Sequence, residues 1–286
     1  MEKFYIDGEI DLELTLTCGQ TFCWHRMDGE LYGSGRPEFY TFRNGKPIIA
    51  REEEGRVMVE TSLAQREAEE ALGAHHDLEE VFADVPEDEP LETAKEELWG
   101  LRIVQDEFFP CLISYLCSPQ MRIPRIKQMH DGIAERYGEK HEVDGAELLK
   151  FPEPEQLREA SEQELRDLGV GYRAEYIEET TRQFQELDEE EIRKMDYEDA
   201  KEELKQLHGV GEKVADCVLL FSLGFYEAYP IDTWAQKSLK QHYPELHSED
   251  YRETSQNMRR RFGKFSGYAQ EYLFHAAREG IIEVEK

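Results

Sequence analysis

Lys213 and Asp232 carry the strongest chemical signal in the chain. Lys213 falls in the first turn of a helix that Val214, Val218, Leu219 and Phe221 mark as buried on its inner faces. The helix dipole disfavours a cation there, and so does burial. Both effects lower the pKa of an amine and suit it to nucleophilic attack. The plain alternative is a surface lysine at a helix start. Asp232 follows a Pro-Ile step and precedes Thr233, which could open the next helix. A carboxylate opposite an amine nucleophile stabilises positive charge developing on a carbon such as a sugar C1′. Asp232 serves equally well as a helix N-cap, and the two roles are compatible. Cys217 stands four residues after Lys213, one turn on and on the same face. Taken alone, it reads as a buried apolar filler.

The lysine helix is preceded by Gly209-Val210-Gly211, and a first helix ends near His208. Two helices joined by Gly-hydrophobic-Gly make a tight hairpin, 204–223. Its glycines permit unusual backbone angles and close approach. The N–H groups at the start of the second helix then offer a phosphate site without a basic side chain. A simple interhelical turn is the competing reading.

The rest of the chain must position these groups. Its 286 residues, 39% hydrophobic and 11% aromatic, are enough to bury a core. The first sixty residues read as an antiparallel sheet. Residues 11–16 alternate polar and apolar, Asp28-Gly29 and Asn44-Gly45 are two-residue hairpin signals, and Trp24, Tyr32, Phe39, Tyr40 and Phe42 supply sheet-facing bulk. Residues 63–72 are helical by spacing, and the acidic, proline-bearing 84–90 segment reads as a connection. From residue 91 onward the pattern predicts helices almost throughout: 107–117, 123–137, 161–168, 172–186, 198–206, 212–223, 233–242, 249–262 and 267–279. The expected fold is α+β, with a sheet domain over 1–87 and a helical region over 88–286.

The charge is extreme: 64 acidic against 34 basic residues, a formal net charge of -30. The acid is spread along the whole chain, which suits a protein adapted to high intracellular salt. It argues against DNA, whose phosphates supply most of the affinity for a basic face. Two local basic clusters relieve the conflict: Arg122, Arg125 and Lys127, and Arg259, Arg260, Arg261 and Lys264. Five cysteines (Cys18, Cys23, Cys111, Cys117, Cys217) without compact spacing predict free thiols in a reducing cytoplasm. Met1 leads straight into Glu2 and Lys3 without a signal-peptide pattern, and the apolar run 214–225 is too short to span a bilayer. The expectation is a soluble intracellular monomer without membrane contact.

HGVGEKVADC followed by PID resembles the helix-hairpin-helix, loop and aspartate signature of base-excision glycosylases. Four further segments resemble one branch, the 8-oxoguanine DNA glycosylase/AP lyases of eukaryotes and archaea: TLTCGQTFCW, LRIVQDEFFPCLISYLCS, GYRAEY and GYAQEYLF. The acidity adds a halophilic archaeal source as an expectation. The resemblance implies a TATA-binding-protein-like sheet domain before the helices. It also implies excision of an oxidised purine from duplex DNA by base flipping, Schiff-base formation at Lys213 and β-elimination, with Asp232 as the partner. It assigns the base pocket to Gly19, whose carbonyl reads the N7–H of 8-oxoguanine, to Cys217 and Phe274, which sandwich the base with Lys213, and to Gln270 on the pyrimidine edge. DNA contacts fall to Gly209, Val210, Gly211, Gln120, Arg125, Tyr172 and Arg173. No cofactor or metal is implied. His75-His76 reads as a surface loop feature rather than a metal pair.

The chain departs from the family's pattern in three places. Gln120 replaces an asparagine that fills the gap left by the flipped base, Trp234 replaces a histidine, and His208 replaces a proline. Two rival readings remain. One is a monofunctional glycosylase for alkylated bases, which Lys213 disfavours. The other is a non-catalytic helix-hairpin-helix module. An iron–sulfur glycosylase is disfavoured because no cysteine follows Cys217.

Overall fold

The computed structural model describes residues 1–29, 32 and 37–284. The N-terminal part holds strands β1 (Glu2–Tyr5), β2 (His25–Arg26), β3 (Glu38–Arg43), β4 (Lys46–Glu53) and β5 (Arg56–Thr61), with helices α1 (Leu12–Thr17) and α2 (Gln65–Ala71). The strands form one antiparallel sheet in the order β1-β5-β4-β3-β2. One face is apolar by alternation. Phe39, Ile48, Ala50, Val57 and Val59 pack against Leu12 and Leu16 of α1 and against Trp24, Leu63 and Leu72.

Three expectations for this part need correction. Residues 11–16 are not a strand. Asp11 caps the N-terminus of α1 by accepting from Leu14 N at 2.8 Å, and Leu12 and Leu16, one turn apart, face the sheet. The alternating pattern is short enough to satisfy either period, and the cap decides. Asp28-Gly29 is not the tip of a two-residue hairpin, because Arg26 pairs with Phe39, which leaves a long connection. Tyr32 is exposed rather than sheet-facing. Asn44-Gly45 does close β3 onto β4, with both residues at positive φ as that turn requires.

Helices follow: α3 (Leu78–Ala83), α4 (Glu89–Leu98), α5 (Phe108–Cys117) and α6 (Ile123–Tyr137). The acidic 84–90 stretch thus joins two helices that both pack in the larger helical core. Next comes an element that the sequence reading missed, a β-hairpin of β6 (Glu139–Val143) and β7 (Ala146–Lys150) turned at Asp144-Gly145. It covers the second face of the N-terminal sheet. Leu148 packs on Tyr40, Phe42 and Ile49, and Leu149 N donates to Tyr40 Oη at 3.2 Å. The remainder is helical: α7 (Pro154–Leu157), α8 (Glu162–Leu165) running into a π-type turn over Arg166–Val170, α9 (Arg173–Gln183), α10 (Glu189–Ile192), α11 (Tyr197–Leu204), α12 (Glu212–Phe221), α13 (Thr233–His242), α14 (Tyr251–Phe262) and α15 (Ser266–Glu279). All five cysteines are buried and free. No described helix is long and apolar enough to cross a membrane.

Candidate active site

Helix α12 starts directly at the hairpin. Gly211 is its N-cap, and Lys213 stands in its first turn. Asp232 caps the next helix, α13, by accepting from Ala235 N at 2.8 Å. Both side chains line one cavity of about 710 Å³. Gly19, Cys217, Gln270 and Phe274, drawn from α12, α15 and the loop after α1, line the same cavity. Gly209, Gly211 and Gln120 lie on its wall as well, so residues up to 255 positions apart in sequence converge on one space.

Lys213 Nζ donates to Ser118 Oγ at 3.1 Å and lies 4.7 Å from the centroid of the Tyr115 ring. Its surroundings thus combine a hydroxyl and an aromatic face, with the carboxyl of Asp232 across the cavity. Burial pushes the Asp232 carboxyl up, opposed first by the Ala235 N–H and then by the charge on Lys213. Burial likewise pushes the Cys217 thiol up to about 12, with Lys213 pulling against it. Cys217 is therefore a neutral, polarisable wall rather than a second nucleophile. Ser118 and Tyr115 carry no signal of contact with Lys213 in the sequence, although both fall in LRIVQDEFFPCLISYLCS. Their contact with Lys213 spans 95 residues or more, and no local spacing signals it.

Gly19 owes its place to its backbone angle, and a side chain there would also push the tip of Ile123 aside. Its φ is +109°, and a Cβ would stand 2.4 Å from Ile123 Cδ1. The neighbouring Cys18 carbonyl accepts from Arg278 of α15, which fixes the loop against the helix that carries Gln270 and Phe274. Gln20 holds the other side: its buried amide donates to the carbonyls of Thr15 and Arg102, and its backbone carbonyl accepts from Tyr115 Oη at 2.6 Å.

At the cavity mouth, Ser118 to Met121 make a tight turn closed by Met121 N donating to Ser118 O at 3.1 Å, with Gln120 at φ +58°. Gln120 and Met121 are exposed, and Tyr172 is 47% exposed. Arg173 connects these two projections. It is buried, donates to the Pro119 carbonyl beneath the turn, and places its guanidinium 4.5 Å from the Tyr172 ring centroid. Arg125 does not line the cavity; its guanidinium donates to the Gly169 carbonyl at 2.7 Å and to Gln128. Val210 is buried and anchors the hairpin, with its N–H donating to Leu207 O.

The basic clusters are less free than their sequence suggests. Lys127 pairs with Asp131 and lies 2.8 Å from His25 Nδ1. Arg259, Arg261 and Lys264 pair with Glu198, Asp88 and Asp84. His25, His130 and Asp131 bring three ligand atoms within 4.8 Å of one another, but the Lys127 ammonium already neutralises that group. His75 and His76 are not a surface feature. Their rings meet at a tilt, His76 packs edge-on against Tyr226, and they bond Tyr226 Oη and Tyr268 Oη at 3.0 Å each.

Comparison with known proteins agrees with this geometry. Residues 113–264 match the family described as HhH-GPD superfamily base excision DNA repair protein, and residues 5–112 match the 8-oxoguanine DNA glycosylase N-terminal domain. A probable N-glycosylase/DNA lyase of Methanothermobacter thermautotrophicus is 32% identical over 96% of both chains. The N-glycosylase/DNA lyase OGG1 of Arabidopsis thaliana is 31% identical over 94% of this chain and 77% of its own. The 8-oxoguanine glycosylase/lyase of Clostridium acetobutylicum, solved with double-stranded DNA containing cytosine opposite 8-oxoguanine, superposes with a TM-score of 0.84 at 28% identity over 99% of both chains.

Proposed function

We propose a reaction on the premise that the chain belongs to the 8-oxoguanine DNA glycosylase/lyase family of helix-hairpin-helix base-excision proteins. The protein is a bifunctional DNA glycosylase and AP lyase that removes oxidised purine from duplex DNA. One observation carries this reading: Lys213 and Asp232 share a single cavity with Gly19, Cys217, Gln270 and Phe274, directly behind the hairpin at the N-terminus of α12.

The first N–H groups of α12 have no partner inside their helix and face outward, where a DNA phosphate is held. Gln120, Met121 and Tyr172 form the exposed wedge that takes the place of the extruded nucleotide, and Arg125 faces the opposite base. Extrusion costs a few kcal/mol. The base enters between Cys217 and Phe274, with Gly19 and Gln270 on its edges. The Lys213 amine attacks C1′, the bond from C1′ to the base breaks, and the electron pair leaves with the base. Asp232 stabilises the positive charge on the sugar in the transition state. The sugar opens to a Schiff base on Lys213. Loss of a C2′ proton then expels the 3′ phosphate by β-elimination.

Borohydride should trap a covalent protein–DNA adduct on an 8-oxoguanine duplex, and Lys213→Gln should remove it entirely. Absence of an adduct with Lys213 intact would sink the reading. A binding-only module would show no difference between the two proteins. We also assign the enzyme to a monomer working in a high-salt cytoplasm beside the nucleoid, a reading that rests on the net charge of -30.

A further inference from the structure

On α15 the residues Gln270, Glu271 and Phe274 line the cavity at helical spacing, and Arg278 follows one turn after Phe274. Glu271 has no role in the mechanism above. It is 2% exposed, lines the cavity beside Gln270, and its Oε1 has no hydrogen-bond partner among the described residues. Gln270 Oε1 is likewise unpartnered. The Cys18 thiol bonds the carboxyl, so one buried oxygen is left without a partner, and such an atom is costly and calls for an explanation. The nearby cation does not supply one, because the Arg278 guanidinium is engaged by the Cys18 carbonyl, by Glu279 at 2.9 Å and by the Phe274 ring.

The groups facing Glu271 come from every surrounding element: Cys18 after α1, Tyr115 on α5, Lys213 on α12, Asp232 at the head of α13 and Arg278 on α15. Burial pushes the Glu271 carboxyl up to about 7. The Cys18 thiol, Arg278 and Lys213 oppose the rise, and Asp232 adds to it. The group therefore holds a proton near neutral pH and has an acidic hydrogen to give. Its carboxyl lines the same cavity as Gly19, Cys217, Gln270 and Phe274, within reach of a base held there.

Resting on the glycosylase reading, we propose that Glu271 is the general acid of base excision. The departing purine takes the electron pair of the broken C1′–N bond and accepts the Glu271 proton. Glu271 is left as a carboxylate and regains its proton from solvent once the base has gone. Lys213 supplies the new bond to C1′ and Asp232 the counter-charge, so neither has to protonate the base. The lyase step on a sugar that has already lost its base does not use Glu271.

The test compares wild type with Glu271→Gln, an isosteric change that keeps a hydrogen-bond donor and removes the transferable proton. Single-turnover excision from an 8-oxoguanine duplex is measured across pH, and borohydride trapping is measured on a preformed abasic duplex. At about pH 6 excision by the variant should be about 100-fold slower, the scale of general acid catalysis. The gap should close as pH rises past about 7, because wild type then loses the same proton. Trapping on abasic DNA should stay within about twofold, since no base needs protonation there. A deficit that is constant across pH, equal excision rates, or loss of abasic trapping would each overturn the proposal. Failure of wild type itself to excise or trap would overturn the glycosylase reading instead.

Discussion

Gly209 and Gly211 frame the same hairpin, yet a methyl group at each meets a different fate. At Gly209, with φ +83°, a Cβ would stand 2.5 Å from the Tyr176 ring, so an alanine strains the backbone and collides with α9. At Gly211 the φ is -97°, and a Cβ meets nothing within 4 Å. Only an approaching ligand would notice it. Gly211→Ala should therefore fold with an unchanged melting temperature but bind an abasic duplex about fivefold more weakly, the loss of roughly 1 kcal/mol of phosphate contact. Gly209→Ala should lose about 1–3 kcal/mol of stability as well. Fluorescence anisotropy at matched salt together with thermal unfolding separates the two, and equal affinity in Gly211→Ala would remove the phosphate role from the hairpin. Gln120 shows a related tension. Its φ of +58° lies in the left-handed region, which asparagine enters more readily, so the departure to glutamine puts a longer side chain on a strained wedge turn.

Between elements, a buried polar network keeps the lysine helix and the aspartate loop in register. Asp216 on α12 is fully buried. It accepts from Lys201 of α11 at 2.9 Å and from Tyr251 Oη of α14 at 2.7 Å, and also from Tyr197. Burial pushes its carboxyl up, and the Lys201 charge opposes this. Tyr251 Oη in turn accepts from Ile231 N at 3.1 Å, one residue before Asp232. A single hydroxyl thus links the helix bearing Lys213 to the backbone bearing Asp232. Tyr251→Phe leaves the Ile231 N–H without its partner and Asp216 Oδ2 with the Lys201 ammonium alone, and we expect a loss of about 1–3 kcal/mol. Single-turnover excision should slow while duplex affinity stays unchanged, because the wedge and the hairpin are untouched. An unaltered excision rate in a destabilised variant would show that Tyr251 supports the fold alone.

For the molecule as a whole, charge dominates. A net charge of -30 makes the folded state repel itself, and salt relieves that repulsion. The Debye length shrinks from about 10 Å at 0.1 M to about 3 Å at 1 M. The melting temperature should therefore rise by several degrees over this range, each 2–4 °C corresponding to about 1 kcal/mol in a chain of this size. A melting temperature that falls with added salt would contradict this. Duplex affinity should depend on salt only weakly. Each neutralised phosphate contributes a slope of about -0.9, and Lys127, Arg259, Arg261 and Lys264 are already committed to carboxylates. Recognition then rests more on stacking and on the pocket than on the phosphate backbone.

Local signals were legible in the sequence. The glycine-bracketed hairpin, the lysine in the first turn of a buried helix, the cap at Asp232 and the turn at Asn44-Gly45 each depend on residues a few positions apart, and each appears where expected. Short segments with two compatible periods were not legible. Residues 11–16 became a helix through a cap at Asp11, and β6–β7 fell in the gap between the helices read at 123–137 and 161–168, because its purpose, covering Tyr40, Phe42 and Ile49, lies about a hundred residues away. Residue types and spacing alone determined that this protein carries an amine and a carboxylate on adjacent helix starts. Tertiary structure alone decided what surrounds them: the Ser118 hydroxyl on Lys213, the Pro119 carbonyl that holds Arg173, the carboxylates that pair with Lys127, Arg259, Arg261 and Lys264, and the buried Glu271. Helix periods and caps are set by neighbours in the chain, whereas desolvation and charge pairing are set by neighbours in space.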